Sequence, residues 1–188
     1  MTTNEIIALQ RRIGTEPDGF WGPKSIAACQ RHLRRFLLAK ENPWPKADSK
    51  SLREFYGQPG DESRLVNLPV AGFGLRYGGK PARTLRCHER VADSLRLILH
   101  EIASGPHAHI VREFAGCYAN RTMRGSTATS LHAWGAAIDF WPAKNGLWTH
   151  WPTRATMPIE VMEAFARQGW LPAGAFWGRD AMHFQATQ

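Results

Sequence analysis

Two stretches hold the residues on which the reading turns: Ser130-Leu-His-Ala-Trp-Gly-Ala-Ala-Ile-Asp139 and Asp180-Ala-Met-His-Phe184. Gly135 to Trp141 reads as a strand, and side chains alternate along a strand, so Asp139 shares a face with Ala137 while Ile138 and Phe140 point to the other side. A charged group with small or apolar strand neighbours is costly to bury unless it is paired or bound to a cation. The same holds for His183, which lies between Met182 and Phe184 in a second short strand, Met182 to Gln185. Two strands thus each bring one polar group to a common interior point. With His132 they make a nitrogen and oxygen donor set, His132, Asp139 and His183, suited to Zn²⁺ and leaving a fourth position for water. A structural site would be closed by a fourth protein ligand, commonly Cys. Asp180, three residues before His183, is spaced to stand beside such a metal as a general base. The competing assignment pairs Asp139 with Arg121 or Arg124 and makes the histidines satisfied core residues.

Outward from these segments the pattern alternates between helices and short strands. Val91, Leu95, Ile98 and Ile102 recur at helical spacing, and Gly105-Pro106 ends the run. Ala108 to Phe114 reads as a strand. Pro158 opens a helix carrying Val161, Met162 and Phe165, which Gly169 closes. This order predicts an α+β body, a small antiparallel sheet with flanking helices. The stretch from Gly57-Gln-Pro-Gly60 to Gly78-Gly79 is rich in turn formers and is expected to wrap around the body rather than build it.

At the other end, Asn4 is placed to cap a helix through Ile6, Ile7, Leu9, Gln10 and Ile13, stopped by Gly14. A loop from Thr15 to Gly22 follows. Pro23 then starts a second helix whose apolar stripe is Ile26, Ala27, Gln30, Leu33, Leu37 and Leu38. Glu41 to Lys50 is polar, contains two prolines and lacks periodicity, which suits a linker. The expected organisation is a helical module over 1–40, a linker over 41–52 and the main body over 53–188.

Composition narrows the function classes. A chain of 188 residues with 43% hydrophobic residues has material for a core, and at 21% charged it is no disordered polyelectrolyte. The net charge of +8 points to an anionic partner. Arg31, Arg34 and Arg35, with Arg83, Arg86 and Arg90, read as solvated faces, and without a zinc-finger, RNP or helix-turn-helix signature no nucleic-acid partner is expected. Cys29, Cys87 and Cys117 are odd in number and have no Cys-x-x-Cys pairing, so buried free thiols are expected. Met1 to Glu5 shows no basic and apolar leader, and no stretch is long and apolar enough for a membrane span.

The loop of the first forty residues carries a resemblance. Leu9-Gln10, Asp18-Gly19-Phe20-Trp21-Gly22-Pro23, Ser25 and Ala28 are similar to the peptidoglycan-binding repeat of bacterial and phage wall hydrolases. That resemblance implies substrate contacts at Asp18 and Gly19. From Cys87 to the C-terminus, Ser-x-His-x-x-Gly-x-Ala-x-Asp at 130–139 together with Asp-x-x-His-Phe at 180–184 resembles the M15 zinc peptidases. The family includes D-alanyl-D-alanine carboxypeptidases and the L-alanyl-D-glutamate endopeptidases of phage endolysins. It implies a hedgehog-like zinc peptidase fold, zinc on His132, Asp139 and His183, Asp180 as catalytic base, and Arg121, with nearby Arg124 as the alternative, steadying the scissile carbonyl. Ser130 is then a supporting hydrogen-bonding residue at the substrate site, and Trp177 a cleft residue with Trp134, Trp148 and Trp151 as further candidates.

Together the resemblances imply a monomeric endolysin that binds peptidoglycan, and through its charge anionic outer-membrane or wall polymers. It would act on the L-Ala-D-Glu bond of the stem peptide, held in the host cytoplasm before lysis and reaching the periplasm and wall afterwards. D-Ala-D-Ala carboxypeptidase activity is the alternative, followed by a non-catalytic zinc-containing wall-binding protein. A lysozyme-type glycosidase would need paired carboxylates, for which Glu101 and Glu113 are the candidates.

Overall fold

Helix α1 (Thr3–Ile13) starts two residues earlier than expected. Thr2, not Asn4, is its cap: Thr2 Oγ1 accepts from Glu5 N at 3.3 Å while the Glu5 carboxylate accepts from Thr2 N at 2.6 Å, a reciprocal box that Asn4 cannot make. Gly14 ends the helix in the left-handed region, as expected. α2 (Pro23–Leu37) runs back with Pro23 in its first position. Between them Gln10, fully buried, ties the loop together: its amide donates to Asp18 Oδ1, the Phe20 carbonyl and Ser25 Oγ, and accepts from Gly19 N at 2.8 Å. Gly19 has φ +77°, and a Cβ there would lie 2.7 Å from Thr3 Cγ2, so both the turn and the packing require glycine.

The computed structural model describes residues 1–37 and 41–188. Leu38, expected on the α2 stripe, and the expected module boundary at residue 40 lie outside the described residues. The buried face of α2 is Ser25, Ala28, Cys29 and Leu33, while Ile26 is 39% exposed, so the stripe is rotated from the one expected. Gln10 draws Ser25 inward, and the small Ala28 and Cys29 let the helix approach the rest of the protein closely.

Further along come α3 (Ser49–Tyr56), α4 (Ala92–Ala103), α5 (Ala108–Val111), α6 (Pro142–Asn145), α7 (Ile159–Arg167) and α8 (Ala173–Trp177). The strands are β1 (Leu65–Pro69), β2 (Arg76–Tyr77), β3 (Lys80–Pro81), β4 (Thr84–His88), β5 (Phe114–Gly116), β6 (Ala137–Phe140), β7 (Leu171–Pro172) and β8 (His183–Gln185). β1 and β4 form a two-stranded antiparallel ribbon, and the main sheet has the order β3-β2-β5-β6-β8-β7, antiparallel except for β2 with β5. The α+β class is as expected. The stretch from 57 to 79 does more than wrap: it supplies β1 and β2, the second strand of the main sheet. Ala108–Phe114 is not one strand, because after Gly105-Pro106 the chain makes a helical turn that buries Ile110 and Val111 against α4, and only Phe114 begins strand β5. Tertiary burial overrides the strand preference of Ile and Val.

The segment read as a linker is packed on the body. Trp44 is buried, its indole N–H donates to the Gln168 carbonyl at 2.8 Å, Asn42 donates to the Gly169 carbonyl, and Asp48 caps α3. α2 lies along α7, and one apolar cluster continues from Leu9 and Leu33 through Trp170 and Phe165 to Phe184. Trp21 meets the buried Trp151 edge to face at 5.4 Å, and the Met1 amine donates to the Pro152 carbonyl at 2.8 Å. All three cysteines are buried free thiols, and burial pushes those of Cys29 and Cys87 up to about 12.

The polar centre of this contact is Glu163 on α7, with 5% of its side chain exposed. It accepts two hydrogen bonds from Arg12, at 2.8 and 2.7 Å, and lies 2.7 Å from His32 Nε2. Burial alone would raise the Glu163 carboxyl, but these partners reverse the shift and hold it below the usual glutamate range. A carboxyl depressed in the folded state stabilises above its unfolded pKa, and that contribution is lost as pH falls through the folded value. Glu163→Gln is therefore expected to cost about 2 kcal/mol at pH 7, below the value for a fully buried pair because Arg12 is half-exposed. The difference from wild type should shrink as the pH falls below about 4, where the wild-type carboxyl also protonates. Thermal melts at pH 7 and pH 3 check this; an equal gap at both would remove the assigned role.

Candidate metal centre

Strand register puts the first two donors together. β6 pairs with β8 so that Asp139 stands directly opposite His183, and Ile138 opposite Phe184. The intervening residues face the core, where Phe184 stacks on Phe165 at 3.9 Å and Ile138 and Phe140 are fully buried. The apolar side of the pair thus fixes the register that aligns its polar side. His132 arrives from a 3-10 turn, Leu131–Trp134, capped by Ser130, whose hydroxyl accepts from His132 N at 3.4 Å. Gly135 closes the turn at φ +66°, and a Cβ there would lie 2.8 Å from His88 N. One donor atom from each of His132, Asp139 and His183 lies within 4.8 Å of the others.

Hydrogen bonds at the far ring atoms settle which nitrogens face inward. The Cys117 carbonyl, 2.7 Å from His132 Nδ1, can only accept, so Nδ1 carries the proton and Nε2 has a lone pair. His132 Nε2 lies 3.3 Å from Asp139 Oδ2 but is not aligned for a hydrogen bond, and it is a buried nitrogen without a hydrogen-bond partner. Gln185 Nε2 donates to Thr187 Oγ1 at 2.6 Å, which leaves Gln185 Oε1 to accept from His183 Nε2 at 3.2 Å. His183 Nδ1 then faces Asp139 Oδ1 at 3.0 Å. Each imidazole is held in one tautomer by a partner outside the cluster, the arrangement that orients metal-ligating histidines. The donor set fits a divalent cation such as Zn²⁺.

The charges agree. Burial would raise the Asp139 carboxyl, yet the two imidazoles hold it far below the usual aspartate range. Burial would lower His183, but Asp139 beside it reverses the sign and holds the imidazolium above its ordinary value, so a proton and a metal cation compete for one nitrogen. Asp180 behaves differently. It is 6% exposed, its Oδ1 has no hydrogen-bond partner, and burial raises its carboxyl. Its backbone is in the left-handed region, φ 60°, uncommon for a non-glycine residue, and its carbonyl accepts from His183 N at 2.9 Å. A tight turn therefore places a buried carboxyl on the wall of the same cavity, outside the three-residue cluster.

The cluster lies on the wall of a cavity of about 330 Å³ that also receives Arg121, Ser130, Trp148, Trp177 and Asp180. A second cavity of about 410 Å³ adjoins it and shares Arg121, Arg124, His132, Asp139, Leu147 and Met182. The site is thus one stretch of a longer cleft. Trp177 stacks on His183 with ring centres 5.6 Å apart. Trp134 and Trp151 are core residues whose indoles donate to the Gly57 and Met157 carbonyls. Asp139 faces the histidines rather than Arg121 or Arg124, and both arginines line both cavities. Asp18 and Gly19 are not on the cleft; their polar groups close the α1–α2 turn. Glu101 is paired with Arg167, and neither it nor Glu113 lines the cleft. Cys117, Gln185 and Arg179 were not anticipated: the first acts through its carbonyl, which sequence does not reveal, whereas Gln185, two residues beyond His183 on one strand face, was in principle readable.

Residues 124–186 match the model of a peptidase M15 family described as D-alanyl-D-alanine carboxypeptidase. That span, about a third of the chain, contains His132, Asp139, His183 and Asp180; M15 peptidases are zinc-dependent, and the mixed α+β architecture is consistent with their fold. Searches of curated proteins and of solved structures gave no match. Among the described residues no helix is long and apolar enough to cross a membrane.

Proposed function

We propose that the protein is an endolysin that hydrolyses a peptide bond of the peptidoglycan stem, L-Ala-D-Glu, with zinc held by His132 Nε2, His183 Nδ1 and Asp139. The observation that carries this reading is the convergence of two fixed-tautomer imidazoles and one carboxylate beside the unpartnered Oδ1 of Asp180. Zinc, when bound, would polarise the scissile carbonyl and acidify water. Asp180 takes the proton from the attacking water and returns it to the departing amine, a role helped by the raised affinity of its carboxyl for protons. Arg121, on the cleft wall, offers its guanidinium to the charge that develops on the carbonyl oxygen. Ser130 holds the His132 turn in place, and Trp177 covers the outer face of His183.

The adjoining cavities favour an endopeptidase, because substrate has room on both sides of the cluster. D-Ala-D-Ala carboxypeptidase action is the second reading, favoured by the description of the matched family. The α1–α2 hairpin serves as the wall-binding element and the +8 charge draws the monomer to anionic wall polymers. Assay of purified peptidoglycan with and without a chelator tests the metal requirement. Release of peptide amines should fall by about a hundredfold or more on chelation and return with added Zn²⁺. Undiminished activity after verified removal of zinc would overturn the reading.

A further inference from the structure

Resting on that reading, we infer that Arg179 forms a carboxylate-recognising subsite of the cleft, which selects stem peptides whose acidic groups are free rather than amidated. Its guanidinium lies 4.5 Å above the ring of Trp148, an indole 69% exposed, and both residues line the cavity of the His132, Asp139 and His183 cluster. Other arginines stack on aromatic rings here, and two of them show what such a cation takes on its open edge. Arg86 over Tyr118 carries the Glu62 carboxylate, and Arg167 over Phe36 carries that of Glu101. Arg34 and Arg90 stack without a carboxylate, but neither lines this cleft. Among the described residues Arg179 has no carboxylate within ion-pair distance, and it is the stacked arginine that faces the reaction site.

The position is built from the backbone. His150 and Arg179 form an isolated antiparallel bridge, and Trp151 N donates to the Gly178 carbonyl at 3.0 Å, so the loop that presents Trp148 is fastened to the loop that presents Arg179. A guanidinium whose plane is held by an aromatic face keeps its N–H edge for bidentate contact with a carboxylate. The acids on the cavity wall, Asp139 and Asp180, already belong to the reaction centre, whereas Arg121, Arg124 and Arg179 give it a cationic surface without an anionic counterpart. Arg179 is also the residue next to Asp180, so a carboxylate bound there belongs to a residue close to the bond being cut. An amidated peptide would leave the guanidinium desolvated and unpaired, which is how a site built for one polar group rejects its analogue.

The test compares three synthetic stem peptides: one with all carboxyls free, one with the D-Glu carboxyl amidated and one with the C-terminal carboxyl amidated. Zinc-loaded wild type should lose about ten- to a hundredfold in kcat/KM on one amide, mainly through KM, and which amide identifies the carboxylate that Arg179 reads. Arg179→Gln should abolish the preference with zinc content unchanged, and Arg179→Lys should restore only part of it. Calorimetric binding of the same peptides to zinc-loaded Asp180→Ala gives the preference without turnover. Equal kcat/KM and equal binding for all three peptides, or a preference retained in Arg179→Gln, would overturn the subsite. If no peptide is cut but the free acid still binds preferentially, the proposed reaction fails and the subsite stands.

Discussion

Zinc-loaded Asp180→Asn is expected to keep its metal and its melting temperature and to lose turnover by about a thousandfold, the range of a positioned general base. Asparagine preserves the size of the side chain and tolerates the left-handed backbone at φ 60°, so the substitution removes the proton acceptor and little else. Asp180→Ala should lose the same activity with an added stability cost of about 1 kcal/mol from alanine in that conformation. Asp180 is distinguished from Asp139 by environment. Asp139 is held ionised between two imidazoles, whereas Asp180 is buried with one oxygen unpartnered and its carboxyl raised. Metal analysis beside the kinetic assay separates the two roles: loss of zinc from Asp180→Asn would make Asp180 a ligand, and full activity would remove it from the reaction.

Deleting residues 1–40 should leave a chain that is insoluble or unfolded at 37 °C rather than a free-standing peptidase. The hairpin contributes Leu9, Ile13, Cys29 and Leu33 to the common core, lays α2 along α7, and covers Trp151 with Trp21. It also carries both partners of Glu163, so its removal leaves that carboxylate without Arg12 or His32. A single large-to-small core change costs about 2–5 kcal/mol and a whole domain has about 5–15 kcal/mol of stability, so losing several such contacts is comparable with the total. Circular dichroism melting and size-exclusion chromatography of the truncated chain check the expectation. A soluble fragment with the wild-type melting temperature and activity would show that the hairpin is a detachable module.

How far the sequence reaches can be seen at single residues. The alternation around Asp139 and His183 anticipated that the two would share an interior face, and the register adds that they are direct partners. That inference works because Ile138, Phe140 and Phe184 have only one place to go. The polar Glu41 to Lys50 stretch misleads for a related reason: its one large apolar residue, Trp44, is buried through a contact with α7's C-terminal turn that no local pattern announces. Likewise Ile110-Val111 carries a strand preference, and packing on α4 decides otherwise. Asp18 and Gly19 were legible as a motif but not as to purpose, since the Gln10 amide that binds both comes from the preceding helix. The tautomers of His132 and His183 were beyond sequence altogether, because one depends on a main-chain carbonyl at Cys117.

Mass spectrometry of the peptides released from purified peptidoglycan by the zinc-loaded protein tests the central claim most directly. The account predicts scission between L-Ala and D-Glu, with new D-Glu amino termini and the L-Ala carboxyl set free, and none of it after chelation. Loss of terminal D-Ala alone would make the protein a carboxypeptidase, and cleaved glycan strands with intact stem peptides would contradict the account outright.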